Sequence, residues 1–208
     1  MSELITNLNN ILDIKGNIKS AIENKGVDMT GVSFPGYASK IGEISGGGGW
    51  DQKSFTEGTI EIINLDNSAS FVANEAFKGN TNIQTVNLPY ATSVGNNAFF
   101  RCYSLSQVNL PVCSSIGISA FYGCSSLSQI SLPMCRFIGD FAFQSCSSFS
   151  IITIGYSSVC RLNNSNTFDN TPIASGTGSI YVPASLVDTY KSATNWSYFS
   201  TQIFPIPE

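Results

Sequence analysis

Ser115-Ile-Gly-Ile-Ser-Ala-Phe-Tyr-Gly-Cys-Ser-Ser-Leu-Ser-Gln-Ile-Ser-Leu-Pro133 is one period of a text that returns every 22 residues. The Ala-Phe pair at its centre recurs as Ala76-Phe77, Ala98-Phe99, Ala120-Phe121 and Ala142-Phe143. Val72, Val94, Ile116 and Ile138 keep the same step, as do Ile83, Leu105, Leu127 and Phe149. Val86, Val108, Ile130 and Ile152 form another column, followed by Leu88, Leu110, Leu132 and Ile154, with Pro89, Pro111 and Pro133 directly behind the first three. This many columns in phase over four units define the organisation before any element is assigned.

Each unit reads as one coil. Leu105-Ser-Gln-Val108-Asn-Leu110 alternates apolar and polar residues, the pattern of a short strand with one face buried. The proline behind it lacks an amide donor and ends the strand. The Ala-Phe side supplies small and large apolar groups from the opposite wall. A single coil cannot bury its own apolar face, so successive coils must stack, with parallel strands about 4.8 Å apart and a body about 25 Å long. The expected fold class is a repeat solenoid, mainly β, with one strand per coil, N-terminal helices and a C-terminal helical cap.

The ends depart from the period. Ile60, Ile63 and Leu65 mimic Ile83, Val86 and Leu88, so Gly58–Asn67 is expected to open the stack as a first strand. After Tyr156 the phase slips: Phe168 follows Phe143 by 25 residues through a polar, irregular stretch, Asn163–Asn170. Ser179-Ile180-Tyr181-Val182-Pro183 then repeats the strand-proline signature of Thr85-Val86-Asn87-Leu88-Pro89. Leu186, Val187 and Tyr190 have helical spacing, and with Trp196, Tyr198 and Phe199 they predict a lid over the last coil, as a solenoid end requires.

Composition narrows the function classes. Charged residues are 12% of the 208, about half the usual share, and the net charge is −4. The ten Lys and Arg form no stripe, which argues against nucleic acid as a partner. No apolar run approaches the roughly 18 residues that span a bilayer, so no membrane insertion is expected. Met1–Asn10 lacks the basic and apolar regions of a signal peptide, so export is not expected and the sequons at Asn163 and Asn195 carry little weight. There is no His, the common general base and metal ligand, and Glu75, Asp140 and Asp169 are isolated, needing no role beyond solubility. No enzyme activity and no cofactor are expected.

The six cysteines fall largely into columns: Cys102, Cys124 and Cys146 with Asn80, and Cys113 and Cys135 with Ala91 and Ser157, leaving Cys160 alone. Columns that accept Asn, Ala or Ser select small size and weak hydrogen bonding, which a buried thiol offers. Adjacent coils could bring column members within bridging distance, but without export reduced core thiols are expected. Zinc would want close pairs such as CxxC, and there are none.

Before the array the text changes. Leu4, Leu8, Ile11, Ile18 and Ile22 follow a heptad stripe interrupted by Lys15, suited to a short coiled coil or to docking on a larger partner. A helix of about 20 residues is marginal alone in water, and Ile in both seam columns favours three strands over two. Gly26 would close it, a second short helix would span Tyr37–Ile44, and Gly46–Gly49 read as a hinge. The expected division is a helical anchor or oligomerisation segment at residues 1–45, a hinge at 46–50 and the capped solenoid at 51–208.

The period quoted at the outset resembles the BspA-like leucine-rich repeat. The tail Ile180-Tyr-Val-Pro-Ala-Ser-Leu-Val-Asp-Thr-Tyr-Lys191, followed by Asn195-Trp-Ser, is similar to the usual end of such arrays. That resemblance implies adhesion and recognition at surfaces without a common ligand. The segment Ile18-Lys-Ser-Ala-Ile22-Glu-Asn-Lys25-Gly26-Val27, with Gly31, Phe34, Tyr37, Lys40-Ile41-Gly42 and Ile44, resembles an N-terminal module of bacteriophage tail-fibre and other virion appendage proteins. It implies an anchor to other virion proteins, and with the heptad stripe a homotrimer. The expected function is a virion fibre or capsid decoration protein, assembled in the host cytoplasm, whose solenoid contacts a host-surface glycan or protein. The alternative is a bacterial adhesin of the same repeat family.

Two surfaces compete for such a contact. The strand face would present Thr85, Asn87, Gln107, Asn109, Gln129 and Ser131, a neutral hydrogen-bonding ladder. The turn beside the Ala-Phe pair offers Phe100, Arg101, Tyr103 and Tyr122, which could stack on sugar rings or fill a protein interface. The plainer expectation is that the polar residues keep the face wet and the aromatics cover neighbouring coils.

Overall fold

The computed structural model describes residues 62–64 and 70–207. The anticipated helices of residues 1–45, the glycine hinge and the heptad residues Leu4, Leu8, Ile11, Ile18 and Ile22 lie outside the described residues. Two parallel sheets run the length of the array. The larger has the strand order β1 (Ile62–Asn64), β3 (Thr85–Asn87), β5 (Gln107–Asn109), β7 (Gln129–Leu132), β9 (Ile151–Ile154), β11 (Ser179–Val182) and β12 (Ile203–Pro205). The smaller, of two-residue strands, has the order β10 (Arg161–Leu162), β8 (Phe137–Ile138), β6 (Ser115–Ile116), β4 (Ser93–Val94) and β2 (Phe71–Val72). The coils that open with β1, β3, β5, β7 and β9 thus contribute one strand to each wall, two where one was expected, and β11 and β12 extend the larger wall alone. The fold is the mainly β solenoid expected from the period. The register follows the columns: Val86 faces Val108, Ile130 faces Ile152, and Val94 faces Ile116. Ile63 pairs with Val86, so the first strand opens the stack where the Ile60-Ile63-Leu65 pattern placed it.

Between the walls the columns become layers. Ala98, Ala120 and Ala142 and the phenylalanines behind them are all 0% exposed. Phe77, Phe99, Phe121 and Phe143 form a continuous stack with ring centroids 5.2, 5.2 and 5.4 Å apart. Such pairs add to the area they bury, which at about 25 cal/mol per Å² is the main term holding one coil on the next. Gly95, Gly117 and Gly139 form a column that the period contains but its apolar pattern does not announce. A β-carbon at Gly117 would lie 2.7 Å from the backbone nitrogen of Asn96 and the carbonyl carbon of Gly95. Beside this column Asn74 Oδ1 accepts the Asn96 amide at 2.7 Å and Asn96 Oδ1 accepts the Ile118 amide at 2.8 Å, stitching coil to coil.

The phase slip is an insertion that leaves the layers intact. β10 pairs with β8 at an offset of 24 residues, Arg161 facing Phe137, and the Phe143 amide donates to Thr167 O at 3.1 Å. Thr167 therefore takes the alanine place and Phe168 the next ring, 6.0 Å from Phe143. The buried Thr167 hydroxyl is satisfied by Gly139 O at 3.1 Å and Asn164 O at 2.8 Å. The same shift corrects the cysteine columns. Cys160, read as solitary, sits with its sulfur 3.6 Å from that of Cys135 and fills the place that fixed counting assigns to Ser157. All six cysteines are free and buried. Cys102, Cys124 and Cys146 direct their thiols at the carbonyls of Phe77, Phe99 and Phe121, at 3.1, 3.1 and 2.9 Å. Asn80, in the same column, caps its turn instead by accepting the Asn82 and Ile83 amides.

The C-terminal cap is partly the helical lid anticipated. A 3-10 turn at Ala184–Leu186 leads into α1 (Val187–Ser192), and a kinked 3-10 stretch, Trp196–Gln202, follows. β12 then adds in parallel to β11, Ile180 facing Ile203, a seventh strand that no repeat signature announces. Trp196 and Phe199 are buried, but Tyr198, grouped with them from sequence, is 74% exposed. β10 is the edge of the smaller sheet, and cap side chains hydrogen-bond the backbone at this edge. Tyr190 Oη accepts the Cys160 amide at 2.8 Å, and Trp196 Nε1 donates to Cys160 O at 2.6 Å. Asn195 Nδ2 donates to Leu162 O and Asn163 O, both at 2.9 Å. Among the described residues no helix is long and apolar enough to cross a membrane.

Candidate functional site

Strand residues alternate sides, so each strand of the larger sheet sends one apolar side chain inward and its neighbours outward. The register places Thr85 beside Gln107 and Asn87, Asn109 and Ser131 in one outward column, and the alternation of β7 sets Gln129 on the same face as Ser131. Those six, the ladder expected from sequence, all line one depression of about 580 Å³ on this face. Asn109 Nδ2 donates to Asn87 Oδ1 at 2.7 Å, a side-chain contact that joins adjacent strands of the ladder. The depression lies where the sheet loosens. β5 and β7 are in register only at Asn109 and Ser131, whereas β3 with β5 holds three pairs and β7 with β9 holds four. At this parting Val108 is half-buried, while its column neighbours Val86 and Ile130 are 0% and 3% exposed. The lining contains no Asp, Glu, Lys or Arg.

The outward asparagine column does not stop at Ser131. It continues through Thr153 to Tyr181 and Phe204, because Ser131 faces Thr153, Thr153 faces Tyr181 and Tyr181 faces Phe204. The two rings lie 6.3 Å apart at 45°, and Phe204 is 43% exposed. Sequence reading did not single out either residue. The strand-proline signature does align Tyr181 with Asn87, so a signal for it existed; nothing in the period points to Phe204.

The second set gathers elsewhere on the coil. Phe100 stacks on Tyr122, centroids 4.9 Å apart, and both are half-buried. The Arg101 guanidinium lies 5.1 Å and the Lys78 ammonium 5.9 Å from the Phe100 centroid. Tyr103 is 45% exposed and stands beside Gly123 and Arg101. These rings and cations are thus engaged with one another across adjacent coils. The acidic residues read as isolated are engaged too. Asp140 accepts Asn163 Nδ2 at 2.9 Å, Asp169 accepts Gln144 Nε2 at 3.3 Å, and Glu75 pairs with Lys78 at 2.8 Å.

The six thiols are buried. Burial pushes Cys102 and Cys113 up to about 12, and burial likewise raises Cys124. The hydrogen bond to Cys135 and burial raise Cys160. Nucleophilic and metal-binding thiols are thiolates, and Cys102, Cys113, Cys124 and Cys160 are held as thiols, whereas the hydrogen bond from Cys160 lowers Cys135. Among the described residues no group of three or more His, Cys, Asp or Glu is placed to hold a metal ion.

Comparison with known proteins agrees with this architecture. Residues 50–187 match the model of the BspA type leucine rich repeat region in six copies. No curated protein matches the chain. Among solved structures, a leucine rich repeat protein of T. pallidum is 27% identical with a TM-score of 0.48, over 57% of this chain and 54% of that one. A leucine rich cell surface protein of Faecalibacterium prausnitzii is 22% identical with a TM-score of 0.52, over 68% of this chain and 35% of its own, and shares the fold. A leucine-rich repeat protein of Bacteroides ovatus is 20% identical with a TM-score of 0.49, over 71% and 43%. The chain thus spans about half the length of these proteins or less. The resemblance of residues 18–44 to bacteriophage appendage modules finds no counterpart in these comparisons. With the repeat model covering most of its length and the columns stacked as that repeat requires, the chain belongs to the BspA type leucine-rich repeat family.

Proposed function

We propose that the chain is the contact-bearing repeat domain of an adhesin-type surface protein and that it binds through the strand face of its larger sheet. The observation that carries this reading is the depression of about 580 Å³ into which six outward residues of three successive coils converge. A stacked array repeats the same few outward positions, so neighbouring coils build one extended surface rather than a pocket with a reactive centre. The family and the cell-surface description of the F. prausnitzii relative favour an adhesin over a virion component. Neither supplies a ligand, since fold alone does not give function. The absence of His from the whole sequence and the raised thiols favour contact over catalysis.

Binding of the full chain to intact bacterial and epithelial cells, followed by flow cytometry, tests it. Replacing Gln107, Asn109 and Gln129 together by Ala should cut binding to at least one cell type by about a hundredfold, the loss of about three hydrogen bonds worth about 1 kcal/mol each. Tyr103→Ala with Tyr122→Ala should leave it unchanged. If neither cell type is bound, or only the tyrosine variant loses binding, the proposal fails.

A second reading keeps the virion role, with residues 1–45 mounting a trimer on other virion proteins. What supports it is the heptad stripe and the Ile18–Ile44 pattern. Mass spectrometry of purified phage particles and the solution mass of the full chain test it; an absent polypeptide or a monomer removes it.

A further inference from the structure

The outward column that crosses the depression runs Asn87, Asn109, Ser131, Thr153, Tyr181, Phe204, one residue per strand. At about 4.8 Å per strand it forms a path of about 24 Å. Its chemistry changes along the way. Four amide and hydroxyl side chains come first, then two aromatic rings, of which Phe204 is 43% exposed. Parallel to the first part run Thr85, Gln107 and Gln129. We infer that this face binds an uncharged glycan chain, its hydroxyls hydrogen-bonded along the amide ladder and one sugar ring seated on the Tyr181–Phe204 platform.

Three properties of the face select that ligand class. The lining of the depression carries no ionisable acid or base, so an acidic polysaccharide or a phosphate chain would lose hydration without gaining a counter-charge. The chain as a whole is at −4, which repels such polyanions further. Lys78, Arg101, Arg136 and Arg161 lie outside that lining and over rings: Arg101 and Lys78 over Phe100, Arg136 over Tyr156 at 4.4 Å and Arg161 over Phe137 at 5.7 Å. Amide side chains offer a donor and an acceptor side by side, which matches adjacent sugar hydroxyls. An exposed ring presents an apolar face to the C–H side of a pyranose while its rim stays wet. The loosened β5–β7 register adds a shallow apolar floor at Val108, so the path is amphipathic as a sugar chain is. A peptide strand would instead lie along a free sheet edge with its unpaired amides and carbonyls, and this path runs across the strands, one residue from each.

This inference rests on the contact reading above and narrows it. The test uses the full chain and isothermal calorimetry with hexamers of β-1,4-glucose, β-1,4-N-acetylglucosamine and α-1,6-mannose. Heparin, polysialic acid and a neutral Ser/Asn peptide are measured beside them. At least one neutral oligosaccharide should bind and neither polyanion should. Phe204→Ala should weaken that binding by about tenfold, the loss of one stacked ring. Gln107→Ala should weaken it independently, and Tyr103→Ala should leave it unchanged. Circular dichroism confirms that each variant keeps its fold. No binding of any neutral oligosaccharide, preference for heparin, polysialic acid or the peptide, or neutral binding indifferent to both Phe204→Ala and Gln107→Ala overturns the inference. Cell binding that persists without oligosaccharide binding overturns the glycan class alone. Loss of both overturns the contact reading as well.

Discussion

At Gly117 the neighbouring coil comes closer than any side chain allows. A β-carbon there would meet backbone atoms of Gly95 and Asn96 at 2.7 Å, and backbone in the middle of two ladders cannot yield. Gly117→Ala should therefore cost about 3 kcal/mol in urea unfolding, the upper range for overpacking. Gly79 is the control. It has φ +76° and open space around its missing β-carbon, so Gly79→Ala should cost only about 1 kcal/mol, from backbone strain. Equal costs at both sites would refute the close-approach argument. The thiols give a pH prediction with a definite sign. Burial raises Cys102 and Cys113 from 9.0 to about 12. The unfolded chain therefore loses these protons at lower pH than the folded one does. Their contribution to stability is complete below pH 9 and declines as the pH climbs from 9 to 12. The urea midpoint should fall over that window, and Cys102→Ala should flatten the slope. Below it, an alkylating reagent without reductant should label none of the six in native protein and all six after unfolding. The glycine column was visible in the text as Gly95, Gly117 and Gly139, but an apolar pattern search ignores the residue whose role is to be absent. The core placement of the thiols was legible because their columns also accept Asn80 and Ala91, small residues in the same layers.

The elements most plainly written in the sequence are those whose neighbours repeat them. β3, β5, β7 and β9 share one alternating pattern, and each buries its inward column against the next, so local text and packing agree. β12 has no such copy. Ile203-Phe204-Pro205 becomes a strand only because α1 and the turns after it carry the chain back to the open side of β11. That is a tertiary outcome, and periodicity contains no trace of it. Cys160 was misplaced for a related reason: a fixed step of 22 cannot see an insertion that the stack absorbs between β9 and Phe168. The cap's role at the edge of β10 leads to a prediction at this scale. Tyr190 supplies the acceptor for the Cys160 amide, and Trp196 the donor for its carbonyl. Tyr190→Phe keeps the buried ring and removes the oxygen, leaving a buried donor unpaired at a cost of about 1–3 kcal/mol. Hydrogen exchange at the Cys160 amide should quicken accordingly, while amides in β5 and β7 keep their protection. Uniformly faster exchange would mean that the cap and the array unfold as one unit.

For the molecule as a whole, the scarcity of charge is the property from which binding behaviour follows. With 12% charged residues and an uncharged strand face, the array has little electrostatic reach, so the contact proposed for it would act at short range. The alternation of each strand made the position of that face legible, and the polar identity of its outward columns made its neutrality legible. Its extent was not, because the path ends on Phe204, in the strand that only the folded cap creates. The parting between β5 and β7 was equally hidden, since those coils carry the same pattern as their neighbours. A surface that binds through neutral hydrogen bonds and ring stacking releases no counterions. Its affinity for a neutral partner should therefore change less than about twofold between 50 and 500 mM salt, across which screening shortens several-fold. A contact through Lys78, Arg101 and the acidic residues around them would instead weaken steeply over the same range. Cell binding titrated against salt, with the Gln107, Asn109 and Gln129 variant beside it, separates the two surfaces. A salt-insensitive interaction lost in that variant is the result the fold predicts. A salt-sensitive one that the variant retains would move the contact to the turns that carry Lys78, Phe100 and Arg101.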